Sequence, residues 1–197
     1  MKKYKTILID PPWEIKFGFD NHRDKRKSTG SPKGTWTRPN MNYQTLTLEE
    51  IRSLPIISLA DENCHLYLWV INKYIPDAYD LINYWKFKPS TLLTWVKTPR
   101  GLGLGGAFVQ TTEHILFAYK GKQEPKQRLS STWWNFKRPE NITGPKHSRK
   151  PEGFQDIVEI VSHAPYLEMF ARRKRTGWDV WGNEVKSDIL LDSREDR

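Results

Sequence analysis

The sequence predicts an α/β fold, an open and mostly parallel sheet with helices on both faces, and three observations predict it. Apolar runs of strand length recur at residues 5–9, 65–71, 91–97, 113–119 and 166–171, with a short one at 179–181. Segments with helical periodicity alternate with several of them, the pattern of strand–helix–strand units. The length of 197 residues matches one domain with a substantial core. Residues 1–197 are therefore expected to form a single unit.

Taken in order, Tyr4, Ile7, Leu8 and Ile9 mark a buried first strand that runs directly into Asp10-Pro11-Pro12-Trp13. Thr47-Leu48-Glu49-Glu50 is a capping box that opens a short helix through Leu54, with Pro55 as its stop. The apolar run Cys64 to Ile71 reads as a central strand. Pro76 suits a first helical turn, after which Ala78, Leu81, Ile82 and Trp85 follow the i, i+3, i+4, i+7 spacing. Two strands come next, and Pro151 then starts a helix with the apolar face Phe154, Ile157, Val158 and Val161. The last two strands complete a Rossmann-like sheet, in which ligands gather beyond the strand C-termini. By that rule Asp10 to Trp13 and Ala171-Arg172 are expected to share a crevice.

Three stretches resist assignment: 14–42, 98–112 and 121–149. Loops that long in one domain usually carry function. Within the second, Gly101-Leu102-Gly103-Leu104-Gly105-Gly106 looks like a phosphate loop, but a strand rather than a helix follows. It is read as a glycine-rich loop beside the site.

Lys plus Arg total 32 against 23 Asp plus Glu, a net charge of +9 that favours a polyanionic partner. The surplus is concentrated: seven basic and three acidic residues at 14–40, nine and two at 120–150, and four consecutive cations at Arg172 to Arg175. Trp36, Trp133, Trp134 and Phe136 are interleaved with the first two clusters, and stacking faces beside cations are what nucleic-acid channels present. No apolar stretch is long enough to span a bilayer, and Met1-Lys2-Lys3 runs straight into a strand, so a cytoplasmic location is expected, or a nuclear one in a eukaryote. The lone Cys64 reads as core packing, and the five histidines show no paired ligand spacing, so no metal is expected.

The tetrapeptide after the first strand has distinctive chemistry. An ionised Asp10 only accepts hydrogen bonds, and prolines keep a carbonyl acceptor while lacking the N–H. The turn thus offers oxygens to a ligand that donates, such as a planar amino group, with Trp13 as a flat apolar face for a ring. The plainer alternative is a strand that ends in a proline-stiffened turn.

Together with these four residues, several short motifs resemble the MT-A seventy type of S-adenosylmethionine-dependent adenine amino-methyltransferases. They are Tyr43-Gln44-Thr45, His65 to Val70, Trp95-Val96-Lys97-Thr98, Glu113-His114 and Lys120-Gly121, then His147 to Pro151, Leu167 to Arg172, Gly177-Trp178 and Trp181 to Glu184. Each is weak alone, but their order and spacing are specific and span most of the chain. The resemblance implies a class I methyltransferase fold in permuted order, with the catalytic motif ahead of the cofactor-side strand. It implies that Asp10, with the Pro11 or Pro12 carbonyl, accepts hydrogen bonds from the adenine amino group, with Trp13 and Tyr43 beside the base. It further places Ile9, Asp10, Lys150, Glu168, Arg172, Asn183 and Glu184 around S-adenosylmethionine. The usual glycine-rich cofactor loop is replaced here by Phe170-Ala171-Arg172. Some relatives carry an acidic segment ahead of the catalytic strand that touches the cofactor's adenine; Asp188-Ile189 is the candidate to fill that place.

The expected activity is transfer of a methyl group to the exocyclic nitrogen of adenine in nucleic acid, with DNA favoured and RNA the alternative. A base in a duplex must be flipped out to reach such a site. The loops at 14–42 and 121–149 are the candidate gripping segments, with Arg23, Lys25, Arg26 and Lys27 on phosphates and Trp133 or Trp134 stacking on bases. From a different class, the chain could be a catalytically silent nucleic-acid-binding subunit. A partner subunit of methyltransferase type or a homodimer is also compatible with the sequence.

Overall fold

A computed structural model describes residues 2–14, 45–97, 108, 110–136 and 149–191. The described strands form one seven-stranded sheet. They are β1 (Tyr4–Ile9), β2 (Ala60–Val70), β3 (Lys88–Val96), β4 (Thr112–Lys120), β5 (Trp133–Trp134), β6 (Tyr166–Met169) and β7 (Trp178–Trp181), in the spatial order β5-β3-β4-β2-β1-β6-β7. Among them β4 is antiparallel to both its neighbours, β2 and β3, and the other four pairings are parallel. This is the mostly parallel sheet expected from the alternating pattern. The first strand, β1, lies between β2 and the late strand β6, so residues far apart in sequence meet at its C-terminal end.

Helices cover both faces because the side chains of each strand alternate in direction. On one face Ile7, Ile9, Leu66, Leu68, Leu116 and Met169 pack with residues of α1 (Leu48–Arg52), α2 (Ile56–Leu59) and α3 (Ile75–Tyr84). On the other, Leu8, Tyr67, Trp69, Leu93, Trp95 and Ile115 pack with Phe154, Ile157 and Val158 of α4 (Gly153–Val161). Cys64 is buried in the first of these cores, as its setting in the sequence suggests. No helix among the described residues is long and apolar enough to cross a membrane.

The local signals explain most element starts. Thr47 caps α1 in a reciprocal capping box with Glu50, and Pro76 sits in the first turn of α3. α1 ends at Arg52 with Ser53 as its cap, short of the expected Leu54, and Pro55 instead stands immediately before α2, a one-turn helix not apparent in the sequence. β2 begins five residues before the apolar run at 65–71, because Ala60 already pairs with Tyr4 and the register shifts before Thr6 meets His65. β5 was also unexpected; Trp133 and Trp134 pair in parallel with Thr94 and Trp95 at the sheet edge. Lys120-Gly121 has a local physical reason: Gly121 adopts φ 69°, and a side chain there would come within 2.3 Å of the Glu62 carbonyl.

Candidate active site

The site grows from the C-terminal end of β1. Asp10 lies just past the strand, its N–H still donating to the Met169 carbonyl at 3.4 Å, so it is tied to the end of β6. Alternation turns Leu8 and Asp10 toward the α4 face, where both line an open cleft together with Trp69, Lys150, Gln155 and Glu168. Ile9 points the other way and is fully buried. A contact between Ile9 and a ligand in the cleft would therefore run through its backbone.

The prolines close the turn tightly. The Pro11 carbonyl accepts from the Trp13 N–H at 2.8 Å and the Pro12 carbonyl from the Leu46 N–H at 2.9 Å, so each retains one lone pair for a further donor. Trp13 is only 6% exposed; its indole N–H donates to the Trp69 carbonyl at 2.9 Å and its ring stacks on Tyr74, with centroids 5.0 Å apart. The indole thus anchors the turn to β2, with one face already taken by Tyr74.

Beside Asp10 runs a line of alternating charges. Lys150 lies 2.9 Å from Asp10 Oδ1 and 3.4 Å from Glu113 Oε2, and Lys97 binds the other oxygen of Glu113. Lys150 also sits over the Trp69 ring and Lys97 over Trp95. The antiparallel register makes this possible: Trp95 opposite Glu113 brings the end of β3 against the start of β4. Burial alone would raise the pKa of Glu113, but the two ammonium groups hold it below the ordinary value. Lys150 is kept protonated against its burial by Asp10 and Glu113. Burial raises the pKa of Asp10 against the pull of Lys150, which makes its carboxylate a stronger hydrogen-bond acceptor than a solvated one. Sequence motifs contained Lys97 and Glu113 but gave neither a role; the charges at facing strand ends were the available signal.

On the far side of the cleft stand Glu168 from β6 and, past its end, Arg172. Burial and the nearby Asp10 charge push Glu168 up to about 7. Phe170 takes φ 62°, a left-handed conformation that costs an aromatic residue on the order of 1–2 kcal/mol, in the segment that stands in place of the usual glycine-rich loop. Arg172 pairs with Glu184 at 2.8 Å. Gly182 lets this happen: a side chain there would lie 2.3 Å from the Ala171 carbonyl, so only a glycine brings Asn183 and Glu184 against the end of β6.

These groups fit a nucleoside joined to an amino acid. Lys150 and Arg172 suit an α-carboxylate, Asp10 and Glu168 an ammonium, and Asn183 and Glu184 a ribose diol.

Other expected residues are placed differently. Asp188 accepts from the Val180 N–H at 3.1 Å and pairs with Lys174, while Ile189 packs on the core, so both are engaged at β7. The basic run is engaged as well: Arg173 with Glu152, Lys174 with Asp188, and Arg175 with Asp156 and Glu159. Pairing with neighbouring carboxylates offsets the charge excess of this run locally. Trp133 is 59% exposed at the sheet edge, whereas Trp134 is half-buried against Phe154. Tyr43, Arg23, Lys25, Arg26 and Lys27, and the glycine-rich 101–106, lie outside the described residues.

Comparison with known proteins finds methyltransferases that match nearly the whole chain. The type II methyltransferase M.MunI of a Mycoplasma species is 29% identical over 96% of this chain and 81% of its own length. The human N(6)-adenine-specific methyltransferase METTL4 is 26% identical over 93% of this chain but 38% of its own length. The N6-methyladenosine RNA methyltransferase MTA1 of Pyricularia oryzae is 27% identical over 92% of this chain and 47% of its own length. The chain thus spans most of the bacterial relative and less than half of these two eukaryotic ones. The family model MT-A70 matches residues 4–184, and with Asp10 lining a charged cleft at the C-terminal end of β1, the chain belongs to the MT-A70 family of adenine methyltransferases.

Proposed function

We propose that the chain, as a single methyltransferase domain over 1–197, transfers a methyl group from S-adenosylmethionine to the exocyclic nitrogen of adenine in DNA. The observation that carries this reading is the position of Asp10, an acceptor of raised pKa at the cleft and paired with Lys150. Asp10 and a proline carbonyl take hydrogen bonds from the adenine amino group. Acceptors there favour a pyramidal nitrogen whose lone pair is no longer spread into the ring, so they stabilise the transition state more than the ground state. S-adenosylmethionine supplies an electrophilic methyl on a sulfonium. Lys150 and Arg172 hold its carboxylate, Glu168 its ammonium, and Asn183 and Glu184 its ribose; no metal enters this scheme. Asp188-Ile189 is the candidate cover for its adenine.

Preference for DNA is supported by M.MunI, matched over four fifths of its length, against the RNA enzyme matched over less than half. Exposed Trp133 is a stacking surface for a base of the bound strand, with Trp134 behind it. Arg23 and Lys25 are proposed phosphate contacts and Tyr43 a neighbour of the flipped base. A cytoplasmic setting fits a DNA-modifying enzyme of this kind, working alone or with a second subunit.

Incubation with labelled S-adenosylmethionine and, separately, duplex DNA, single-stranded DNA or RNA tests the reading, with nucleosides identified by mass spectrometry. Methyladenine in DNA is expected. Methyladenosine only in RNA would replace the polymer, and cofactor binding without transfer to any polymer would favour the silent subunit.

A further inference from the structure

We propose that Gln155 is a positioning residue that aims the Glu168 carboxylate at the amino group of the methyl donor's methionine end, an inference that rests on the cofactor reading above. Gln155 stands on α4 at a position surrounded by core. It is 3% exposed, and it lines the cleft. A buried amide in an otherwise apolar face needs partners for both its ends. It has them: Arg173 Nη2 donates to Gln155 Oε1 at 3.0 Å, and Gln155 Nε2 donates to Glu168 Oε2 at 2.8 Å.

These partners fix the amide's orientation. A guanidinium has donors and no acceptor, so the end of Gln155 facing Arg173 must be its oxygen and the end facing Glu168 its NH2. Arg173 is itself held by Glu152, which also takes Arg149. The chain Arg149–Glu152–Arg173–Gln155–Glu168 therefore runs from the rim into the cleft, and every donor in it has a single direction. At its inner end Glu168 Oε2 must be an acceptor. Any proton Glu168 carries sits on Oε1, and a cationic ligand displaces that proton instead of breaking the bond to Gln155.

Two consequences separate this role from packing. The bond from Gln155 favours the ionised carboxylate, so losing it raises the pKa of Glu168. It also acts only on ligands that possess an amino group at the methionine end. Glu168 is the residue through which Gln155 acts; Gln155 itself need not touch the reacting atoms.

The experiment measures binding to the full chain by calorimetry, for Gln155→Met and Gln155→Glu, with S-adenosylhomocysteine and with methylthioadenosine, which lacks the amino acid end. Both variants remove the donor to Glu168. Glu keeps the volume and an acceptor for Arg173, so it remains informative if the Met variant folds poorly. About tenfold weaker binding of S-adenosylhomocysteine is expected in both, with methylthioadenosine within about twofold of the unsubstituted protein. The pH at which S-adenosylhomocysteine affinity falls is expected to move upward in both. Unchanged S-adenosylhomocysteine affinity, or an equal loss for both ligands, would overturn the role of Gln155. Failure of the unsubstituted chain to bind S-adenosylhomocysteine would instead overturn the cofactor reading beneath it, and the role of Gln155 with it.

Discussion

Two groups of cations flank the cleft, and they are used in opposite ways. Lys97 and Lys150 are largely buried and alternate with Glu113 and Asp10, the four coming from four separate stretches of chain that the sheet brings together. Arg173, Lys174 and Arg175 are consecutive, sit at the rim, and pair with carboxylates of α4 and the C-terminal segment. A count of charges along the sequence ranks the second group higher. Burial reverses that order, because an ion pair shielded from water fixes geometry strongly while an exposed one adds little.

The largest effect that would break this contrast is at Lys150. Lys150→Met leaves the Asp10 and Glu113 carboxylates facing each other with little water, and the expected loss of stability in denaturant unfolding is about 3 kcal/mol. Adding Glu113→Gln should recover part of it by removing one of the two like charges. An additive result would separate the two carboxylates energetically.

Next comes Gly182→Ala. The added carbon meets the Ala171 carbonyl, so Asn183 and Glu184 must shift away from the end of β6. S-adenosylhomocysteine affinity is expected to fall about tenfold with little change in fold.

Glu168 gives the contrast a pH signature. Its pKa rises from an ordinary 4.5 to about 7, so the native state holds the proton more tightly than the unfolded chain. That contribution to stability is complete below about 4.5 and is lost as pH rises through about 7. Affinity for a ligand ammonium has the opposite sign, since the ionised carboxylate binds it, and should increase over the same interval. Calorimetric titrations at pH values on both sides of 7 check this; flat affinity would remove Glu168 from the ammonium site.

The smallest effect is at the rim. Arg175→Ala loses its contacts to Glu159 and Asp156 and should cost about 1 kcal/mol. The salt dependence of DNA binding should stay unchanged, whereas a cation that neutralises a phosphate would lower the slope by about 0.9.

What the sequence revealed follows from how local each signal is. The apolar runs located the main strands, and the structure divides the side chains of β1 and β2 between two cores. Pro76 and the Thr47 capping box worked because they act within a single turn. β5 escaped because two residues have no period, and its pairing with β3 is non-local. Trp13 illustrates the limit at the site: the tetrapeptide advertised a stacking face, and only the fold shows Tyr74 already upon it. Gln155 is the one polar residue among the buried positions of α4, but the sequence also offers Asp156 and Glu159 on that helix, and nothing local singles it out. Its partners Glu168 and Arg173 lie beyond the next loop. The pairing of the basic run was hidden for the same reason, since its carboxylates come from elsewhere in the chain.

The most direct test of the central claim compares Asp10→Ala with the unsubstituted chain in methyl transfer to duplex DNA, with S-adenosylhomocysteine binding measured on the same samples. Loss of methyladenine by a factor of about a thousand, in a protein that still binds S-adenosylhomocysteine, is the result this account predicts. Undiminished methyladenine in Asp10→Ala would contradict it and move the acceptor for the adenine amino group away from the end of β1.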